Sequence, residues 1–219
     1  MKKYEVIAFD LDGTLTNPER GQLTGFEYAL KKHSITYPSR EWLKRYIGPP
    51  IHDVWQLDFN LSFEKVVEMI ETYREYYNVY GWRENDIYPD IHEMLSELKA
   101  RGYKLAVATG KPEKIAKRIL RLFALDSYFD FIGGASEDDS RHRKSDILRY
   151  VLEGVGESSD KTVLVGDRRF DAEGARALGA DCIGVLWGHG SKDELSAAGF
   201  DYIAESPSDV TEYLTKRAD

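Results

Sequence analysis

The stretch YEVIAFDLDGT, residues 4–14, decides the fold of this 219-residue chain. Residues 6–9 form an unbroken apolar run with β-branched side chains, which is typical of a strand buried on both faces of a parallel sheet. Asp10 and Asp12 follow at once. Side chains two apart on a strand share a face, so both carboxylates point beyond its carboxyl end, where open α/β sheets bind ligands. An isolated Asp-x-Asp is more often a polar turn, so the interpretation depends on the rest of the chain.

Composition and charge narrow the class of protein. With 42% hydrophobic residues the chain can bury a sizeable core, and its net charge of -8 argues against binding to nucleic acid polymers or acidic membrane surfaces. The single cysteine, Cys182, excludes an internal disulfide and lies in an apolar run, which indicates a buried structural thiol. No apolar run approaches the roughly 18 residues that cross a bilayer. We therefore expect a cytoplasmic protein.

Strands and helices alternate through the second half of the chain. The apolar runs predict strands at 105–108, 129–132, 162–165, 181–186 and 202–204, with helical patterns between them. We expect Gly133 and Gly134 to end the second of these strands. Such alternation predicts a Rossmann-like, doubly wound and mainly parallel α/β sheet with right-handed crossovers.

A helical segment interrupts this pattern early in the chain. The residue spacing indicates only helices between 17 and 85, at 24–32, 38–47 and 51–57, and then one that Ser62 caps. A strand-helix-strand crossover needs only about 30 residues, so this segment is too long to be one. The sequence therefore predicts an α/β core domain, 1–16 and 86–219, with an inserted α-helical cap domain, 17–85.

Further polar residues follow the later strands or begin the later helices. Thr109 ends one strand beside the amide of Gly110, Lys144 begins a helix, and Asp167 follows another strand with Asp171 one turn further on. If these strands are parallel to the first, their carboxyl ends meet at the edge that carries Asp10 and Asp12.

The complete set resembles the four motifs of haloacid dehalogenase superfamily phosphatases, and the whole chain resembles their phosphoglycolate phosphatase-like and 5'-nucleotidase-like group. The resemblance implies that Asp10 attacks phosphorus to form an aspartyl-phosphate and that Asp12 acts as general acid and then general base. It also implies that Thr109, the Gly110 amide and Lys144 hold the phosphoryl oxygens. Dehalogenating members lack the second aspartate, so Asp12 favours phosphoryl transfer.

The acidic residues predict a metal ion. Two carboxylates about 4 Å apart repel by about 4 kcal/mol at an effective dielectric of 20, so Asp10, Asp12 and Asp167 cannot converge ionised without a cation. Their hard oxygen ligands favour Mg²⁺ over zinc. By the resemblance, the ligands are Asp10, the backbone carbonyl of Asp12, and Asp167, with Asp171 supporting them from behind.

Four basic residues near the motifs have simpler interpretations. Arg141 and Arg143 are expected in a solvated loop, although Arg141 could instead orient Lys144 or reach the substrate. For Lys111 a surface charge at a helix start is favoured over a phosphate contact. Arg168 is expected to pair with a nearby acid.

Cap residues and one turn leave further alternatives open. Arg45 precedes a tight turn at 47–50 and either contacts the substrate or is a surface residue. Trp55 and Tyr73 have core spacing. The glycine-rich turn at 188–191 is a weak candidate for a phosphate cradle and is more simply a chain reversal.

Together these features predict a Mg²⁺-dependent phosphatase of small phosphorylated metabolites, with phosphoglycolate and nucleoside 5'-monophosphates as rival substrates. A phosphomutase would carry the same motifs. A phospho-acceptor signalling domain and a cap-bearing binding protein without turnover are the non-enzymatic alternatives. We expect a monomer or a homodimer.

Overall fold

A computed structural model describes residues 4–49, 51–138 and 140–216, with only the backbone at 52 and 53. The chain divides into two compact units, one of Met1–Thr16 with Ile87–Asp219 and the other of Asn17–Asp86. Pro50, in the predicted turn at 47–50, lies outside the described residues.

The strands, in chain order, are β1 (Val6–Phe9), β2 (Thr16–Asn17), β3 (Asp86–Ile87), β4 (Lys104–Pro112), β5 (Phe131–Ala135), β6 (Thr162–Gly166), β7 (Asp181–Val185) and β8 (Tyr202–Ala204). The α-helices are α1 (Glu19–Lys32), α2 (Ile51–Phe59), α3 (Phe63–Tyr77), α4 (Ile91–Ala100), α5 (Glu113–Leu122), α6 (Lys144–Val155), α7 (Arg169–Leu178), α8 (Lys192–Ala198) and α9 (Pro207–Lys216). Short 3-10 helices lie at Trp42–Tyr46, Gly81–Arg83, Asp126–Tyr128 and Ser159–Lys161.

Six strands of the first unit form one sheet in the order β5-β4-β1-β6-β7-β8, and every pairing in it is parallel. The predicted doubly wound α/β fold is confirmed. Strand β1 lies between β4 and β6, and all four of its residues are fully buried. Side chains of Val6 and Ala8 join the core cluster formed with α6 and α7, which also contains Cys182. The predicted buried thiol is therefore confirmed, and burial raises its pKa to about 11.

The prediction that Gly133 and Gly134 end β5 was wrong, because both lie inside the strand. A Cβ atom on Gly133 would lie 2.5 Å from Val151 Cγ2, and one on Gly134 would lie 2.6 Å from the backbone oxygen of Lys111. The two glycines therefore let α6 and the end of β4 pack closely against β5. Their sequence looks like a turn because close packing and chain reversal both favour glycine.

The second unit is built from α1, α2 and α3 around an aromatic core. Trp55 is fully buried with its ring centroid 5.9 Å from that of Phe26, and Tyr73 stacks on Phe26 at 5.2 Å, so the predicted core positions are confirmed. Ser62 caps α3 by accepting a hydrogen bond from the backbone of Lys65, as predicted.

Two expectations for this unit were wrong in detail. Helix α1 begins at Glu19 rather than at 24, and the segment 38–47 contains only the 3-10 helix Trp42–Tyr46. Gly21, near the start of α1, packs against the backbone of Gly81. A Cβ atom on Gly21 would overlap the carbonyl oxygen of Gly81.

The chain passes between the units at β2 and β3, which form a two-stranded sheet. Among the residues that the structure describes, no helix is both long enough and apolar enough to cross a membrane.

Candidate active site

Three carboxylates converge at the carboxyl ends of β1 and β6. Asp10 follows β1, Asp167 follows β6, and Asp171 lies in the first turn of α7. One carboxylate oxygen from each lies within 4.8 Å of the others. The parallel pairing of β1 with β6 sets this arrangement, and it continues past the strands because the backbone amide of Asp10 donates to the oxygen of Val165 at 2.8 Å.

Lys144, the first residue of α6, brings a positive charge into this group. Its Nζ lies 3.0 Å from Asp10 Oδ1 and 2.7 Å from Asp171 Oδ1, and it donates to the backbone oxygen of Ala108 at 2.9 Å. The side chain is only 9% exposed. Gly174 makes room for it, since a Cβ atom there would lie 2.5 Å from Lys144 Cγ. One ammonium group thus contacts residues from three separate parts of the chain.

Burial and neighbouring charges shift the pKa values of the clustered acids and of Lys144. Burial, followed by the charges of Asp171 and Asp10, raises the pKa of Asp167 well above its ordinary value. Burial also raises the pKa of Asp171, although Lys144 opposes that effect. For Lys144 burial favours the neutral form, but the attraction of Asp10 and Asp171 outweighs it and raises the pKa. The acidic residues therefore exceed what one lysine balances.

Asp12 is paired with a second buried lysine. Lys111 Nζ lies 2.7 Å from Asp12 Oδ2. Burial raises the pKa of Asp12, and the charge of Lys111 partly counters this. The prediction that Lys111 is a surface charge was wrong, because β4 continues beyond Thr109 and its alternation turns Lys111 inward. The signal was present in the spacing of Thr109 and Lys111, two residues apart on one strand.

Thr109 and Gly110 lie in β4 directly before Lys111. Thr109 is buried, and its Oγ1 accepts a hydrogen bond from the backbone amide of Lys111 at 3.2 Å. Gly110 is exposed, and apart from Gly110 and its two chain neighbours no atom of the described residues would lie within 4 Å of a Cβ atom placed on it. The side of Gly110 on which a side chain would lie is therefore open.

The loop after β7 packs beneath Asp167. The backbone amide of His189 donates to Asp167 Oδ2 at 2.7 Å, and Trp187 Nε1 donates to the backbone oxygen of Thr14 at 3.0 Å. A Cβ atom on Gly188 would lie 2.3 Å from the oxygen of Gly13, so only glycine allows this approach. Part of the turn at 188–191 thus orients a carboxylate.

The comparisons with known proteins identify the family. The family model described as haloacid dehalogenase-like hydrolase matches residues 7–185. This chain belongs to that family. The family and the hydrolase class predicted from the four motifs are therefore both confirmed.

Individual relatives of this haloacid dehalogenase-like hydrolase carry several names. This chain is 38% identical to a 5'-nucleotidase of Pseudomonas aeruginosa, over 89% of this chain and 88% of the relative. It is 39% identical to the tyrosine-protein kinase PtkA of Mycobacterium tuberculosis, over 86% of this chain but only 64% of that protein. A crystal structure of a predicted phosphatase from Clostridium acetobutylicum superposes with a TM-score of 0.94 at 36% identity, covering 98% of this chain and 100% of the other.

The carboxylate group of this hydrolase fits a hard divalent cation. All its donors are carboxylate oxygens, and Asp167 Oδ1 is buried with no hydrogen-bond partner among the described residues. The grouped side chains are those of Asp10, Asp167 and Asp171, whereas the Asp12 side chain faces Lys111. The metal contact predicted for Asp12 uses its backbone carbonyl and stays a prediction.

Three other arginines of the α/β unit differ in their surroundings. Arg168 Nε contacts Glu194 at 2.9 Å, which confirms the predicted acid partner. Arg141 was expected in a solvated loop, but it donates to the oxygen of Gly134, pairs with Glu113 and stacks on the Tyr150 ring. Arg143 precedes α6 and is exposed, as predicted.

Arg45 belongs to the helical unit. Its guanidinium lies 4.8 Å from the Trp42 ring centroid, and Nη1 lies 3.5 Å from Asp58 Oδ2. Its predicted contact with substrate stays a prediction.

Proposed function

We propose that this chain is a cytoplasmic, Mg²⁺-dependent phosphatase that hydrolyses small phosphomonoesters through an aspartyl-phosphate on Asp10. The observation that carries the proposal is the convergence of Asp10, Asp167 and Asp171 oxygens within 4.8 Å, with the Lys144 ammonium 3.0 Å from Asp10. With the Lys144 ammonium and a divalent cation beside it, the Asp10 carboxylate can approach a phosphate dianion that it would otherwise repel.

In the first step, Asp10 attacks phosphorus as the bond to the leaving oxygen breaks, and Asp12 gives that oxygen a proton. In the second step, water attacks the aspartyl-phosphate, Asp12 takes the proton, and inorganic phosphate leaves with Asp10 restored. Burial raises the pKa of Asp12 above its ordinary value, the direction that helps a general acid, while the charge of Lys111 opposes it.

Thr109, the Gly110 amide and Lys144 hold the phosphoryl oxygens. Because Thr109 Oγ1 accepts from the Lys111 amide, its single O–H is left to donate. Donors fixed before reaction stabilise the charge that spreads over those oxygens in the transition state.

Asp10, the backbone carbonyl of Asp12, and Asp167 would hold the Mg²⁺ ion, with Asp171 supporting them. When bound, the ion neutralises the carboxylates and polarises a phosphoryl oxygen. The unpartnered Asp167 Oδ1 supports this ligand set.

The helical segment 17–85 acts as a cap of the core 1–16 and 86–219 in this proposal, restricting substrates to small ones and limiting bulk water. Arg45 is its candidate substrate contact. Nucleoside 5'-monophosphates rank ahead of phosphoglycolate as substrates because a 5'-nucleotidase is a relative at 38% identity.

Phosphate release from a panel of nucleoside monophosphates, phosphoglycolate and p-nitrophenyl phosphate tests the proposal. We expect hydrolysis with Mg²⁺, none after EDTA, and loss of roughly 10⁴-fold or more in a folded Asp10→Asn variant. Retained turnover in that variant would reject the nucleophile. Isomerised phosphate esters with little free phosphate would indicate a phosphomutase, and phosphotyrosine formed from ATP would indicate a kinase.

A further inference from the structure

A second buried lysine lies in the site without belonging to any of the four motifs. The Lys111 side chain is 5% exposed, less than that of Lys144, and its Nζ lies 2.7 Å from Asp12 Oδ2. Burying an ammonium group is costly, so such a lysine needs close partners. The carboxylate of Asp12 is one such partner.

We propose that Lys111 is a positioning residue that holds the Asp12 carboxylate where it exchanges a proton with the leaving oxygen. The inference rests on the proposed function, in which Asp12 is the general acid and base. The two lysines then have separate tasks: Lys144 contacts the nucleophile Asp10, and Lys111 fixes the proton carrier Asp12.

The backbone of Lys111 is held in place from two sides. On its own strand, the Lys111 amide donates to Thr109 Oγ1, and the pairing of β4 with β5 shifts register between Thr109 and Pro112. On the neighbouring strand, Gly134 packs so closely that a Cβ atom there would lie 2.6 Å from the Lys111 oxygen. The backbone from which the Lys111 side chain extends is therefore fixed, and the contact with Asp12 at 2.7 Å locates the ammonium group.

Arg141 braces this contact. Its Nε donates to the oxygen of Gly134 at 2.9 Å, and its Nη2 lies 3.1 Å from Glu113 Oε2. Glu113 is the first residue of α5, directly after β4. The arginine thus links β5 to the chain on the far side of Lys111, and a proton carrier gains from such fixed geometry because proton transfer requires alignment.

Kinetics of a Lys111→Met variant, in which methionine is similar in length but uncharged, tests the proposal. Phosphate esters with leaving groups of increasing pKa, from p-nitrophenol to an alkyl alcohol, are compared by kcat/KM. We expect a small loss with p-nitrophenyl phosphate and a loss that grows toward about 10²-fold with alkyl phosphates, within the range that general acid help supplies. Lys111→Arg, which keeps the charge, should recover part of the loss.

A double variant separates positioning from substrate contact. If Lys111 acts through Asp12, Asp12→Asn with Lys111→Met should be no slower than Asp12→Asn alone. That variant also removes both charges of the pair, so it gives a readable result even where Lys111→Met leaves a buried carboxylate and folds poorly. Lys114→Met is the matched control, because Lys114 lies three residues on and its side chain is 76% exposed. We expect wild-type kinetics from it.

The outcomes distinguish the two proposals. Wild-type protein without phosphatase activity overturns the proposed function together with this inference. Active wild type with a Lys111→Met loss that is equal for all leaving groups and adds to that of Asp12→Asn overturns the inference alone, and assigns Lys111 to the phosphate. Unchanged kinetics in Lys111→Met also overturns it.

Discussion

Among the residues that the structure describes, ion pairs with both side chains buried lie in the α/β unit, beside exposed pairs, whereas each pair of the helical unit has at least one exposed or half-exposed side chain. In the α/β unit, Lys144 and Lys111 are buried against Asp10, Asp171 and Asp12 at one edge of the sheet. In the helical unit, pairs such as Lys32 with Glu75 lie on the surface, with both side chains about half exposed. Surface pairs contribute little to stability, whereas buried charges are costly and are kept mainly where chemistry needs them. Whether an ion pair is buried therefore says more about function than whether the pair is present.

Replacing Lys144 with methionine should produce the largest effect, because it removes the cation beside Asp10 and Asp171. We expect kcat to fall about 10²- to 10³-fold, the range for losing one transition-state donor. Without added metal, the free energy of unfolding should fall by about 3–5 kcal/mol, as when one member of a buried pair is removed. Steady-state kinetics and chemical denaturation measure the two effects. Full activity in this variant would remove the functional distinction between the buried and exposed pairs.

Replacing Asp167 with asparagine sharpens the same comparison without measuring activity. Mg²⁺ at 100 times its Kd should stabilise the wild type by about 2.7 kcal/mol, because a ligand that binds only the folded state adds that much. The variant loses a proposed metal contact, so its melting temperature should respond far less to Mg²⁺. Thermal unfolding with and without Mg²⁺ is the measurement, and Ca²⁺ at equal ionic strength tests ion selectivity. An equal response of both proteins would place the cation elsewhere.

The smallest effect is expected on the helical surface. Lys32→Met breaks the exposed contact with Glu75 at 2.7 Å and should leave melting temperature and kcat/KM unchanged within error. Parallel thermal and kinetic measurements beside Lys144→Met provide the check. A loss comparable to that of Lys144→Met would mean that exposure does not separate the two kinds of pair.

The sequence was sufficient to predict where residues at the ends of parallel strands lie. Asp10, Thr109 and Asp167 each follow or end an apolar run, and a parallel sheet brings such ends to one edge whatever their separation along the chain. It was insufficient where the length of a strand mattered. Lys111 and Gly134 were misinterpreted because threonine-glycine and glycine-glycine pairs usually stop a strand, and only packing against neighbours continues β4 and β5 past them.

The groups that a long side chain contacts could not be predicted from the sequence either. Arg141 could have reached Lys144, substrate or solvent, and the choice depends on the carbonyl of Gly134, Glu113 and the Tyr150 ring coming together from three elements. The partner of Arg168 was easier to predict, since an arginine at a helix start has few alternatives to a nearby acid.

The central place of β1 in the sheet has a consequence for synthesis on the ribosome. Val6 pairs with Lys104 on one side and with Thr162 on the other, so β1, which is made before β4 and β6, waits for both of its neighbours. Until they emerge, its unpaired backbone edges and apolar side chains have no native partner and are open to chaperones or to association with other chains. Late, long-range pairing of this kind also slows folding, and truncation before residue 162 should leave the nascent chain without a formed catalytic edge.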